Sequence, residues 1–113
     1  MFIQLEYPIL YSEDVQACAT FYQQALGFKV HAGSSDFVEL VLGDSKLALN
    51  SADGRTKLAG HQTIVVKSDD IVMDRARLAE RFPNVGELVD PGYGRTFDVR
   101  DPAGNKIEVI EEA

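Results

Sequence analysis

The strongest constraint on the fold is an internal duplication of the chain. The segment Y-P-I-L-Y-S-E-D-V, which starts at Tyr7, is matched by T-I-V-V-K-S-D-D-I, which starts at Thr63. Each copy is a short apolar stretch, typical of a β-strand, that ends in Ser, two acids and a β-branched residue. The second acid, Asp14 or Asp70, is placed to accept free backbone N–H groups at a helix start. The chain is therefore predicted to contain two copies of one structural module.

Apolar residues at helical spacing follow each of these strands. In the first copy they predict a helix over Val15–Leu26, ended by Gly27, which adopts the left-handed conformation at little cost. In the second copy they predict a helix over Val72–Phe82, ended by Pro83 and Asn84.

Three further strands are predicted after each helix, separated by turns rich in Gly, Asp and Ser. In the first half they are Phe28–His31, Phe37–Leu42 and Lys46–Asn50, and in the second half Glu87–Val89, Arg95–Val99 and Lys106–Ile110. Residues 51–60 form a polar linker with a turn at Asp53-Gly54. The predicted order is βαβββ, linker, βαβββ, which is an α+β fold in one domain with modules 1–50 and 61–113.

Length and charge exclude several classes of function. The 113 residues are enough for one domain with a core of modest size. The net charge of −7 argues against a nucleic-acid partner, since binding to phosphates needs clustered Lys and Arg. No apolar run approaches the roughly 18 to 20 residues of a membrane span, and the N-terminus lacks the basic region of a signal peptide. Cys18 is the only cysteine, which fits a cytoplasmic location.

Two motifs resemble those of a known family. The first is D-V-x-x-x-x-x-F-Y-x-x-x-L-G-F, from Asp14 to Phe28, and the second is G-R-T-F-D-V-R-D-P-A-G-N-K-I-E-V, from Gly94 to Val109. With the duplication, they resemble the vicinal oxygen chelate superfamily, which includes glyoxalase I, extradiol dioxygenases, fosfomycin-resistance thiol transferases and bleomycin-resistance proteins. The resemblance implies curved mixed sheets around a cavity. It also implies a homodimer, because relatives of this length build each cavity from modules of two chains.

Alternation along four strands, the first and last of each module, separates an apolar face from a mixed face. The apolar face, expected to pack under the helices, carries Pro8, Leu10, Leu47, Leu49, Ile64, Val66, Ile107 and Val109. The mixed face carries Tyr7, Ile9, Tyr11, Ala48, Asn50, Thr63, Val65, Lys67, Glu108 and Ile110. A mixed face opposite an apolar one is expected to line a solvent-filled or ligand-filled concavity.

Metal-dependent relatives draw their ligands from this concave face, and the resemblance places those ligands at Tyr7, Ala48, Thr63 and Glu108. Only Glu108 is a good ligand, since the phenol pKa is about 10 and a divalent ion prefers several charged or imidazole ligands. We therefore predict no metal and no other cofactor. A metal, if bound, would need Glu108 together with Asp98 or His61. The pattern is closest to the metal-independent bleomycin-resistance-like branch.

Glu108 also belongs to a predicted acidic pair. A hairpin closed by D-P-A-G-N would put Arg100 opposite Lys106 and therefore Asp98 opposite Glu108. Like charges directly opposite are unfavourable. Two interpretations remain open. The pair recognises a cationic or hydroxyl-bearing ligand or does acid–base work, or it is an exposed pair whose repulsion water, Arg95 or Lys106 relieves.

Three functional hypotheses follow. The first is a small-molecule binding protein that sequesters a basic or aromatic ligand through Tyr7, Asn50, Thr63, Tyr93, Asp98 and Glu108. Tyr93, in the turn P-G-Y-G, would close over the cavity or remain a loop residue, and Phe97 would add stacking area unless it faces the helices. The second is a metal-dependent lyase, isomerase or dioxygenase with an atypical site. The third is a dimeric regulatory or immunity module with no small ligand, whose cavity is filled by side chains.

Overall fold

The computed structural model describes residues 1–112, with the backbone alone for Thr56. In chain order the elements are β1 (Ile9–Ser12), α1 (Val15–Leu26), β2 (Lys29–Gly33), β3 (Phe37–Leu42), β4 (Ser45–Ser51), a 3-10 turn (Thr56–Leu58), β5 (Thr63–Lys67), α2 (Ile71–Arg81), β6 (Gly94–Arg100) and β7 (Lys106–Glu112). This is the predicted α+β class, and α1 has the predicted bounds. Within residues 1–112, neither helix is long and apolar enough to cross a membrane.

The two halves form two mixed sheets with the same plan. The first sheet has the strand order β1-β4-β3-β2 and the second β5-β7-β6, and in each the first strand runs parallel to the last. Ile9 pairs with Ala48 in the first sheet, and Val65 pairs with Glu108 in the second. The predicted duplication therefore extends to the pairing register, and β1 and β5 each lie at a sheet edge.

The helix ends follow the predicted chemistry. The Asp14 side chain accepts from the Ala17 N–H at 3.0 Å, and the Asp70 side chain accepts from the Met73 N–H at 3.2 Å. Gly27 ends α1 with a φ of 80°, in the left-handed region. These local hydrogen bonds set where each helix starts relative to the strand before it.

The predicted strand Glu87–Val89 is wrong. The Gly86 N–H donates to the Asp98 carbonyl at 2.8 Å, and further along Val89 and Thr96 exchange two backbone hydrogen bonds. Three chain steps from Gly86 to Val89 thus lie opposite two steps of β6. The extra residue interrupts the ladder as a β-bulge does, so this segment forms an isolated bridge beside a three-stranded sheet.

The first strand also begins later than predicted. β1 starts at Ile9, and Tyr7 precedes it. Pro8 is exposed rather than packed under a helix, and its carbonyl accepts from the Ala48 N–H at 3.0 Å. Proline has no N–H to donate, so regular pairing begins only after it.

A single core lies between the helices and the inner faces of both sheets. Buried helix residues include Cys18 and Tyr22, and buried strand residues include Leu10, Leu49, Ile107 and Val109. Burial raises the pKa of the Cys18 thiol, as expected of a core residue rather than a nucleophile. The opposite faces stay open at the edges, where Val65 is 60% exposed and Ile9 is 36% exposed.

One buried polar cluster joins the two modules. The Tyr22 hydroxyl on α1 donates to Asp101 Oδ2 at 2.8 Å, and Asp101 lies in the D-P-A-G-N turn between β6 and β7. Asp101 Oδ1 accepts from the N–H groups of Ala103 and Asn105, both at 2.9 Å. The Asn105 amide then donates to Asp101 Oδ2 at 3.0 Å. Burial, and then the Asp101 charge, raise the pKa of Tyr22 above its ordinary value, so the phenol keeps its proton.

We expect Tyr22→Phe to lower the free energy of unfolding by about 1.5 to 3 kcal/mol, because a buried carboxylate loses a hydrogen bond. Urea denaturation followed by circular dichroism measures the change. Tyr93→Phe is the matched control, since that ring is 59% exposed and its loss of a hydroxyl should stay within about 0.5 kcal/mol. Equal effects of the two changes would contradict the role of Asp101 as the buried acceptor.

Candidate functional site

The β6–β7 hairpin brings the predicted acidic pair together. Asp98 and Glu108 are direct cross-strand partners, and alternation puts both side chains on the outer face of the second sheet. Lys106 Nζ lies 3.6 Å from Asp98 Oδ2, in a half-exposed ion pair. Lys106 is thus the residue that offsets part of the repulsion between the two carboxylates.

Arg95 does not take part in the acidic pair. It lies on the inner side of β6 and donates to Glu111, which also accepts from the Ile71 N–H at the start of α2, at 3.0 Å. The Arg95 hydrogen bond and then the Ile71 N–H hold the pKa of Glu111 below its ordinary value. Phe97 likewise faces inward and is buried in the core, so it offers no stacking surface to the site.

Tyr93 reaches the acidic pair from a glycine-flanked turn. Its hydroxyl donates to Glu108 Oε1 at 3.4 Å, a long hydrogen bond. Gly92 and Gly94 on either side have φ values of 115° and 140°, which other residues rarely adopt. The turn therefore holds an exposed aromatic ring next to a carboxylate.

A cavity of about 390 Å³ opens beside these groups. Its walls come from the bridge segment, the Tyr93 turn and the hairpin: Gly86, Glu87, Val89, Pro91, Tyr93, Thr96, Phe97, Asp98, Lys106 and Glu108. Thr63 and Val65 lie next to it on β5, paired with Lys106 and Glu108. Every lining residue belongs to the second module.

The remaining predicted site residues lie on the first module. The Tyr7 ring is 6.3 Å from the Phe37 ring, centroid to centroid, and Lys46 Nζ lies 5.9 Å from the Tyr7 centroid. Asn50 pairs with Phe37 across β3 and β4. The six predicted residues therefore form two groups, an aromatic group with Asn50 on the first sheet and an acidic group with Tyr93 and Thr63 on the second.

Sequence reasoning missed Phe37, Val89 and the contact of Lys46 with Tyr7. Phe37 shares a face with Asn50 only through the pairing of β3 with β4, which strand alternation alone does not specify. Val89 lies on the segment assigned to a regular strand. Lys46 and Lys106 hold equivalent places in the duplication, so the repeat itself could have drawn attention to Lys46.

The possible metal donors are dispersed. Within residues 1–112, no group of three or more His, Cys, Asp and Glu side chains lies close enough together to hold a metal ion. His61 is exposed and precedes β5, while His31 is exposed on β2. Of the four places that the resemblance assigns to metal ligands, Glu108 alone offers a carboxylate.

A family model described as the Glyoxalase/Bleomycin resistance protein/Dioxygenase superfamily matches residues 4–109. The chain belongs to this superfamily. The resemblance seen in its two motifs is therefore confirmed. No curated protein sequence matches the chain.

Solved structures agree with the superfamily fold. The bleomycin-binding protein of Streptomyces verticillus, solved with copper(II)-bleomycin, has a TM-score of 0.80 at 24% identity over 100% of both chains. TnmS3, an antibiotic-binding protein of Streptomyces sp. CB03234, has a TM-score of 0.84 at 22% identity over 100% of this chain and 99% of that one. Lactoylglutathione lyase of Agrobacterium tumefaciens has a TM-score of 0.80 at 22% identity over 97% and 95%. These three proteins share the fold, and by their names two are binding proteins and one is an enzyme.

The lowered pKa of Glu111 makes stability depend on pH. Because its folded-state pKa lies below the ordinary value of 4.5, its contribution is complete above that pH and is lost as pH falls through the folded value. Glu111→Gln should therefore be less stable at neutral pH and lose less additional stability on acidification. Urea denaturation at a series of pH values measures both effects. Glu112→Gln, next along β7 and exposed, is the control, and an unchanged acid dependence in Glu111→Gln would contradict the assignment.

Proposed function

We propose that this protein binds a basic aromatic small molecule and sequesters it, without a metal ion and without making or breaking bonds. The observation that carries the proposal is the pairing of Asp98 with Glu108 on an open sheet face beside a cavity. Lys106 supplies one positive charge against two carboxylates. The net negative charge that remains favours a cationic ligand.

The cavity also offers apolar contact. Tyr93 is 59% exposed and Val89 is 53% exposed, and both line the cavity with Pro91. An aromatic ring on the ligand would stack on Tyr93, while a cationic group would form charge-assisted hydrogen bonds with Glu108. The open cavity of about 390 Å³ favours a ligand over the third hypothesis, in which side chains fill this space.

The donor set supports metal independence. Among the four places assigned to ligands, Tyr7, Ala48 and Thr63 bring no carboxylate or imidazole, and a divalent ion is held by several such groups. A metal-dependent lyase, isomerase or dioxygenase would have to recruit Asp98 or His61. Asp98 and Glu108 together would supply two carboxylates, and within residues 1–112 no group of three or more His, Cys, Asp and Glu side chains lies close enough together to hold a metal ion.

We also propose that two chains form the complete site. Edge strands β1 and β5 carry the exposed side chains of Ile9 and Val65, and open edges with apolar side chains favour a partner. In a homodimer, the aromatic group of one chain, which contains Tyr7, would face the acidic group of the other chain. The single buried thiol of Cys18 fits a cytoplasmic location.

The bleomycin-binding and antibiotic-binding neighbours support a binding role. Bleomycin is therefore a reasonable first compound to test, beside simpler probes of charge. A planar aromatic cation such as 9-aminoacridine and a planar aromatic anion such as anthracene-9-carboxylate separate the effect of charge from that of ring area.

Glu108→Gln should weaken binding of 9-aminoacridine roughly ten- to a hundredfold, because a charge-assisted hydrogen bond contributes about 1.5 to 3 kcal/mol. Folding stability should stay the same or rise, since repulsion with Asp98 is relieved. Fluorescence titration measures the affinity, and thermal unfolding measures the stability. Glu13→Gln is the control, because it removes the same charge from an exposed residue just before the start of α1.

Two results would contradict the proposal. One is tighter binding of anthracene-9-carboxylate than of 9-aminoacridine by the unsubstituted protein. The other is a Glu108→Gln protein that unfolds while its folded fraction keeps full affinity, which would make Glu108 a structural residue.

A further inference from the structure

A second cavity lies on the helix side of the molecule. Its volume is about 470 Å³, and its walls come from the end of α1, the end of β3, the end of β5 and one side of α2. Phe97 and Val109 form its base on the second sheet. They point to the opposite face from Asp98 and Glu108, because neighbouring strand residues alternate. This intermodule cleft therefore lies on the opposite face of the second sheet from the acidic pair, and the two cavities share only Phe97 among their lining residues.

The floor of the intermodule cleft is apolar and incompletely covered. Leu26, Leu42, Val66 and Phe82 all line it and are half-buried, packed against the core without being enclosed by it. Its volume falls within the range of about 300 to 1,000 Å³ that is usual for small-molecule pockets. The cleft is thus large enough to cover an apolar ligand body.

The rim carries two guanidinium groups one helical turn apart. Arg77 contacts the sulfur of Met73 at 3.2 Å, and Arg81 contacts the amide oxygen of Gln24 at 3.3 Å. Neither forms a salt bridge within residues 1–112. Guanidinium groups bind carboxylates through two parallel hydrogen bonds, so this pair suits a single anionic group.

The rim carries three more charged groups besides the two arginines, namely Lys67, Asp74 and Glu80. Asp74 accepts from the Ser68 hydroxyl at 2.6 Å, and Lys67 pairs with Glu112 at 3.5 Å. Glu80 also lines the cleft and is exposed on α2, and within residues 1–112 no hydrogen bond or salt bridge joins it to Arg77 or Arg81. Two cationic side chains without an acidic partner beside an apolar floor indicate an amphipathic anion.

We propose that the intermodule cleft binds a free medium-chain monocarboxylate. The alkyl chain lies along Leu26, Leu42, Val66 and Phe82, and the carboxylate accepts hydrogen bonds from Arg77 and Arg81. This site is independent of the acidic pair, so a ligand in the cleft does not need Glu108.

The probe for this proposal is decanoate, used below its micelle concentration, with decylammonium as the matched cation of equal chain length. Calorimetry should show saturable binding of decanoate and far weaker binding of decylammonium. Hexanoate should bind more weakly by about fourfold per methylene removed from the buried part. In carbon–proton correlation spectra, decanoate should shift the methyl signals of Leu26, Leu42 and Val66 and leave those of Val65 and Val89 in place.

The double variant Arg77→Gln/Arg81→Gln should weaken decanoate binding roughly tenfold or more. The double variant Lys29→Gln/Lys57→Gln removes the same charge at two exposed residues that do not line the cleft and should bind like the unsubstituted protein. Glu108→Gln should also leave decanoate binding unchanged. Equal binding by both double variants, equal binding of decylammonium, or shifts at Val65 and Val89 would each overturn the proposal.

Discussion

The hydrogen bond from the Tyr22 hydroxyl to Asp101 joins the helix of one module to the hairpin of the other. Both groups are buried, and the same carboxylate closes the D-P-A-G-N turn through the N–H groups of Ala103 and Asn105. The turn that connects β6 and β7 is therefore anchored from inside the core. Because the hairpin is fixed at this end, its two strands hold Asp98 and Glu108 in register on the outer face. The candidate site depends on a contact that lies on the other side of the sheet.

The duplicated modules form two sheets whose strands pair in the same register but carry different side chains at equivalent positions. Ala48 in the first sheet corresponds to Glu108 in the second, and Tyr7 corresponds to Thr63. The core buries most of the inner faces, so the aromatic and acidic groups are accessible from the outer faces. One outer face is aromatic and the other acidic, and neither alone surrounds a ligand. This division of chemistry is the physical reason to expect that two chains together complete a site.

Local chemistry made much of this structure predictable. Most of the features that could not be predicted depend on contacts between residues far apart in the sequence. The helix caps at Asp14 and Gly27 and the pairing of Asp98 with Glu108 depend on short-range rules, and all were predicted correctly. The segment Glu87–Val89 has a strand-like composition, but one extra residue against β6 breaks its pairing, which no local pattern reveals. The buried role of Asp101 was missed because it depends on Tyr22, a residue 79 positions away. Six site residues were named, but their division between two faces emerged only from the sheet pairing.

The most direct test of the shared site mixes two variant chains, each of which binds the ligand weakly by itself. Tyr7→Ala damages the first module, and Glu108→Gln damages the second. If each cavity combines modules of two chains, a mixed dimer has one cavity with both changes and one with neither. Subunit exchange followed by titration with 9-aminoacridine should then recover binding of unsubstituted affinity at one site per mixed dimer, while each variant alone binds weakly. If mixing restores nothing although mixed dimers form, each site lies within a single chain and the shared-cavity account is wrong.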